Sequence, residues 1–182
     1  MNVGFVGLGK LGLPVAYAMA SRGVNVYRHD PLVWGPPEDT SHEAGLAELI
    51  KEGQSRIWFC PLTTIVQKAD VVFVAVQTPH DPRFEGITPL PEDRADFDYS
   101  FLVQAVKHLS EEDDRQERDL TVGVISTVLP GTMRRYVMPV LSDRVTLVYN
   151  PTFIAMGTTI RDFLDPEFVL LGGEDEGRGE AV

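Results

Sequence analysis

Residues 7–14 read GLGKLGLP, three glycines within six positions followed at once by an apolar run that contains Pro14. Before them stands Val3–Val6, short and rich in β-branched side chains, and after them Lys10–Arg22 carries apolar residues at helical spacing. The glycines therefore fall where a strand turns into a helix. The same alternation continues along the chain. Val24–Tyr27, Val71–Val76, Leu120–Ile125 and Val145–Tyr149 have the continuous apolar character of strands buried on both faces. Glu43–Glu52, Thr63–Lys68, Phe101–Leu109 and Thr132–Leu141 lie between them as helices. This pattern predicts an α/β fold, a doubly wound and mainly parallel sheet, as one domain over residues 1–182. Three other segments need separate readings. His80–Asp96, with Pro82, Pro89 and Pro91, is a functional lid or a disordered loop; EEDDRQERD (111–119) reads as a solvated turn; FVLLGG (168–173) reads as a last strand.

Between the first strand and first helix of such a sheet, G-x-G-x-x-G is the turn of a Rossmann-type dinucleotide-binding domain. Gly7 would make the tight turn, Gly9 would let a pyrophosphate reach the main chain, and Gly12 would bring helix and strand together. The helix start then offers unpaired N–H groups and a positive dipole end to the phosphates. Pro14 is compatible with a first helical turn. The motif alone is weak, since glycines also ease ordinary turns. Here VNVYRHD (24–30) supplies a second strand ending at Asp30, eighteen positions after Gly12, where a ribose-binding carboxylate belongs. That carboxylate favours NAD, because it would repel the 2′-phosphate of NADP. Arg28 argues in the opposite direction, yet no Lys or Arg follows Asp30 closely.

Composition narrows the function. A length of 182 residues with 43% hydrophobic content suffices for one core. Sixteen Lys and Arg against twenty-seven Asp and Glu give a net charge of −11, which disfavours nucleic acid as a partner. A single cysteine, Cys60, excludes an intrachain disulfide and fits a reducing, cytoplasmic setting. It follows the apolar IWF and reads as a buried small hydrophobe. His29, His42, His80 and His108 lack ligand spacing, so no metal site is expected. No apolar run approaches the length of about 18 that a membrane span needs, so no membrane partner is expected.

With these residues in view, GFVGLGKLGLPVAYAMASRGVNVYRHD resembles the start of the UDP-glucose/GDP-mannose dehydrogenase family. The likeness recurs in order. HEAGLAELI resembles the family's E-P-G-L segment, VFVAVQTP its V-P-T-P strand end, STVLPGT its S-T-V-x-P-G-T turn, and NPTFIAMG its N-P-E-F-L-x-E-G segment. The resemblance implies an NAD-dependent enzyme that oxidises the C6 alcohol of a nucleotide sugar twice, to a carboxylate. In such enzymes a C-terminal cysteine captures the aldehyde, and a thioester is then hydrolysed. By this match Gly7, Lys10, Leu11 and Gly12 line the pyrophosphate, beside Gly9 of the glycine motif, and Asp30 holds the ribose. Gln77, Thr78, Ser126 and Thr127 lie along the cofactor at the strands' carboxyl ends. Thr127 resembles the threonine that holds a catalytic water, which makes it the candidate catalytic residue. Thr152, Phe153 and Met156 fall in the segment that meets the sugar.

The departures bear on activity. Thr152 and Met156 stand where the family writes glutamates, and neither a hydroxyl nor a thioether serves as a base near neutral pH. Nothing in the sequence matches the family's linking helix, its sugar-binding domain, or its catalytic lysine, asparagine and cysteine. The expectation is a cofactor half that binds NAD without turning over a sugar by itself, with a homo-oligomer left open for a full-length form. Loss of the covering domain should expose an apolar patch around Phe153, Ile154 and Met156 and promote self-association. A stand-alone NAD-binding or regulatory protein is an alternative reading, as is a relative of the β-hydroxyacid dehydrogenases, against which STVLPGT and NPTF argue. The acidic tail EDEGRGEAV favours a domain cut from a longer dehydrogenase.

Overall fold

Val3, Val26, Val72, Val122 and Val124 are wholly buried, as the apolar runs require of strands covered on both faces. The computed structural model describes residues 1–173 apart from Trp34, Pro36, Glu38, Gly86, Thr88, Leu90 and Pro91. The acidic tail, and parts of the expected lid and of the stretch after Asp30, lie outside the described residues.

Six strands, β1 (Asn2–Val6), β2 (Asn25–His29), β3 (Ile57–Phe59), β4 (Val71–Val74), β5 (Thr121–Val124) and β6 (Thr146–Tyr149), form one sheet in the order β3-β2-β1-β4-β5-β6. Every pairing is parallel, with Gly4 opposite Tyr27 on one side and Val72 on the other. The order reverses between β1 and β4. In an open parallel sheet a crevice opens there, outside the strands' carboxyl ends.

One face is covered by α1 (Gly12–Ser21), α2 (Leu46–Gly53) and α5 (Thr159–Leu164), which bury Val3, Phe5 and Phe73 beneath Val15, Tyr17, Leu46 and Ile160. The other carries α3 (Leu62–Lys68) and α4 (Ser100–Gln116) over Val72, Val74, Val122 and Val124. Helix α1 is buried almost all round, since it lies between the sheet and its two neighbours.

The structure corrects the sequence reading at several points. β3 and α5 were not expected. The acidic stretch at 111–119 is not a turn throughout: residues 111–116 complete α4, and Asp113 is fully buried. FVLLGG is not a strand; Gly172 makes one antiparallel bridge to Tyr149, and Phe168, Val169 and Leu170 are exposed. Thr132–Leu141 is a π-helical turn at Met133–Val137 followed by a 3-10 turn at Met138–Val140. Pro139 explains this, because in an α-helix its ring would collide with the carbonyl of Arg135. The loop after β4 is tied down at its ends: the Asp98 N–H donates to the Pro79 carbonyl (2.8 Å), and Arg83 bridges Asp81 (2.8 Å) and Asp93 (3.2 Å).

Candidate functional site

The turn from β1 into α1 is pressed against the end of β4. Gly7 sits at φ +94°, a side chain on it would come within 2.5 Å of the Ala75 carbonyl oxygen, and one on Gly12 would collide with the Gly7 carbonyl. Both positions need glycine for the fold itself. Gly9 does not. Its φ is outside the left-handed region, and apart from its chain neighbours no atom of the described residues lies within 4 Å of where its Cβ would stand. The space in front of Gly9 belongs to a cavity.

Helix α1 starts without a side-chain cap on Leu11. Among the described residues no acceptor meets the N–H groups of Gly9, Lys10, Leu11 and Gly12, while Leu13 N–H turns back to the Gly9 carbonyl (3.1 Å). Unpaired donors at a helix start attract an anion. Gly9 and Lys10 are exposed.

Asp30, just past β2, closes the adjoining side. Its Oδ2 accepts the Leu8 N–H and its Oδ1 the Leu32 N–H, both at 2.8 Å. A carboxylate has about four acceptor positions, so this anchoring leaves room for hydroxyl donors. The cavity measures about 610 Å³ and brings Gly7, Gly9, Asp30 and Gln77 together. Its walls include Leu32 and Val33 after β2, Leu62 of α3, and Phe101, Gln104 and His108 of α4. The sequence reading missed the α4 contribution. Its signal was a second helical stripe (101, 104, 105, 108) beside the buried stripe at 102, 106 and 109.

Arg28 is not part of the cavity wall. It is buried, its guanidinium lying 3.4 Å from the centre of the Phe59 ring and 5.1 Å from that of Tyr17. It donates to the Tyr17 hydroxyl (3.2 Å) and the Gly35 carbonyl (3.4 Å). Burial lowers its pKa to about 10, still charged at neutral pH. The cation that argued for a phosphate is turned into the core.

Ser126, Thr127 and Thr78 knit the ends of β4 and β5 together. The Ser126 hydroxyl donates to the Val76 carbonyl (2.7 Å) and the Thr78 hydroxyl to the Thr127 carbonyl (2.8 Å). Thr127 itself is exposed, three residues past the carboxyl end of β5, the strand next to β4.

The segment after β6 holds Thr152, half-buried, with Phe153 and Met156 exposed. The rings of Phe153 and Phe168 lie 4.6 Å apart, so Phe168 joins the expected patch, whereas Ile154 is half-buried. Two carboxylates reach this segment, and both are engaged by its backbone. Glu43, buried, accepts from the N–H groups of Gly157 (3.1 Å) and Ile160 (3.0 Å). Asp162 accepts from the Thr158 hydroxyl (2.7 Å) and the Ala155 N–H (3.2 Å), and these bonds hold its carboxyl below the usual range.

Cys60 is buried, and burial pushes its thiol pKa up, away from nucleophilic use. Among the described residues no three His, Cys, Asp or Glu side chains converge as a metal site, and no helix is long and apolar enough to cross a membrane.

Comparison with known proteins agrees with this geometry. The family description "UDP-glucose/GDP-mannose dehydrogenase family, NAD binding domain" matches residues 1–182. An uncharacterized protein of Methanocaldococcus jannaschii is 31% identical over 182 residues, covering 96% of this chain and 19% of that protein. UDP-glucose 6-dehydrogenase AglM of Haloferax volcanii is 26% identical, over 97% of this chain and 42% of the enzyme. The chain thus spans less than half the length of these relatives. The crystal structure of a ternary complex of GDP-mannose dehydrogenase from Pseudomonas aeruginosa shares the fold, with a TM-score of 0.80 at 24% identity, over 99% of this chain and 42% of that one. A β1–α1 turn pressed against β4, a sheet that reverses beside it and a match along all 182 residues place the chain in the UDP-glucose/GDP-mannose dehydrogenase family, as its NAD binding domain.

Proposed function

We propose that the chain serves the cofactor half of a nucleotide-sugar 6-dehydrogenase, receiving NAD at the β1–α1 turn. The observation that carries this reading is Gly9. Among the described residues no packing contact requires glycine there, yet a side chain would project toward the cavity that Gly9 lines, where a pyrophosphate needs bare main chain. The N–H groups of Gly9, Lys10, Leu11 and Gly12 would bind the pyrophosphate, and the Lys10 ammonium would add charge. Asp30, pre-oriented by Leu8 and Leu32, would accept from the ribose hydroxyls. Gln77, Thr78, Ser126 and Thr127 would line the rest of the cofactor, with Thr127 the candidate to hold a water near the reacting carbon. Bound NAD supplies the hydride acceptor for alcohol oxidation.

Thr152, Phe153 and Met156 would face the sugar. A hydroxyl and a thioether stand at the family's glutamate positions, and the two carboxylates that reach the backbone of this segment, Glu43 and Asp162, are both engaged, so neither is free to activate water. These 182 residues alone are therefore expected to bind NAD without oxidising a nucleotide sugar. The same observation supports a second reading, a binding or regulatory protein that has lost catalysis.

Separate calorimetric titrations with NAD and UDP-glucose test the proposal. A Kd for NAD in the range of about 1 μM to 1 mM, with little affinity for UDP-glucose alone, is expected. Absence of NAD binding would refute it.

A further inference from the structure

We infer that the cavity reads the amino-bearing edge of the cofactor's adenine, and that Gln104 on α4 is the residue that reads it. The inference rests on the NAD reading of the site and adds to it a specificity element.

The place follows from topology. Asp30, at the ribose position, lies past β2, on the β3-β2-β1 side of the reversal. The half of a dinucleotide beyond that ribose must therefore lie on this side, and the same cavity extends there, past Leu32 and Leu62, to α4. Leu32 and Leu62 can take the two faces of a flat heterocycle, but apolar faces do not distinguish one purine from another. The edge does. On the cavity wall α4 presents Gln104 and, one turn later, His108, with Ala105 between them leaving space for a ring. Both polar side chains are exposed, and neither makes a hydrogen bond among the described residues. The opposite face of α4 is occupied by core packing through Leu102, Val106 and Leu109.

A carboxamide matches adenine's 6-amino and N7 positions with two hydrogen bonds, its oxygen accepting from N6–H and its N–H donating to N7. A 6-oxo purine also accepts at N7 but places an acceptor where the carboxamide oxygen sits. Flipping the amide satisfies O6 only by turning its oxygen toward N7. Gln104 therefore discriminates by chemistry rather than by size.

The test compares NAD with nicotinamide hypoxanthine dinucleotide by calorimetry, for the wild-type chain, Gln104→Leu and His108→Ala. Wild type should bind NAD about tenfold more tightly than the hypoxanthine analogue, the discrimination typical of one bidentate pair. Gln104→Leu should bring the two within about twofold, chiefly by weakening NAD. Because Gln104 is exposed, the variant should fold, which unchanged circular dichroism would verify; Gln104→Asn, whose shorter side chain cannot reach, provides a second variant with the same expected loss. His108→Ala should retain the preference. Equal wild-type affinities, or a preference that survives Gln104→Leu, would overturn the inference while leaving NAD binding intact. If neither dinucleotide binds wild type, the NAD reading itself fails.

Discussion

Asp30 and Leu8 are joined across the mouth of the cleft, Leu8 donating its N–H to the Asp30 carboxylate at 2.8 Å. The carboxylate expected to hold the ribose thus also fixes the glycine turn. Asp30→Ala would leave the Leu8 and Leu32 N–H groups without their acceptor. We predict a stability loss of about 1–3 kcal/mol together with a fall in NAD affinity. Asp30→Asn can keep one backbone acceptor and should lose less stability. Urea unfolding with and without NAD separates the two effects.

Gly9 and Gly12 should respond in opposite ways to the same change. Gly9→Ala meets no atom, so its melting temperature should stay close to wild type while NAD affinity drops at least about tenfold. Gly12→Ala drives a methyl into the Gly7 carbonyl and should destabilise by about 1–3 kcal/mol. Equal NAD affinity for wild type and Gly9→Ala would contradict the proposed pyrophosphate contact.

Arg28 is a core residue, and its replacement should register as stability rather than affinity. Arg28→Lys loses the flat contact with Phe59 and the hydrogen bond to Tyr17. We expect a cost of about 1–2 kcal/mol, or a melting temperature lower by about 2–8 °C. NAD affinity should hold within about twofold, since Arg28 does not line the cavity.

Asp113 gives the stability a pH dependence. It is fully buried, both carboxylate oxygens lack a hydrogen-bond partner among the described residues, and burial, with Asp114 nearby, raises its pKa. The folded state thus holds this proton more tightly than the unfolded state. Its contribution is favourable below the ordinary carboxylate pKa and is lost as pH rises through the raised folded value. Asp113→Asn should therefore stabilise the protein by about 1 kcal/mol near pH 8 and have little effect near pH 4. Thermal melts across that range would check this, and a variant no more stable than wild type at high pH would contradict it.

Phe153, Met156, Phe168, Val169 and Leu170 are exposed apolar side chains, Phe153 at 56% and Met156 at 66%, with the rings of Phe153 and Phe168 in contact. Concentration-dependent self-association is expected in sedimentation, and Phe153→Glu should suppress it. A wild-type chain monomeric at every concentration would count against this role for the patch.

The interior of the sheet was legible in the sequence because β1, β4 and β5 are buried on both faces and leave an unbroken apolar trace. The edges were not. β3 has three residues, one of them Trp58 half in solvent, and nothing in IWF alone separates a strand from a loop. Helix α5 has six residues and no side-chain cap of its own, since its start is held by Glu43, far back in the chain. FVLLGG misled for the converse reason: it has the composition of a strand but only one bridge to pair with. At the site, the glycines and Asp30 could be read because their spacing is local. The burial of Arg28 and the approach of Gln104 depend on how α1, β3 and α4 pack, which no local spacing encodes.

The Glu43 clasp also bears on synthesis. Its acceptors wait for N–H groups 114 and 117 residues downstream. At about 5–20 residues per second on a ribosome, that interval is on the order of ten seconds. Until then the nascent chain carries a carboxylate destined for burial with nothing to bind, and the outer side of α1 stays wet. Closure of that layer cannot precede synthesis of residue 160, and a ribosome paused before it would hold an open, chaperone-accessible intermediate.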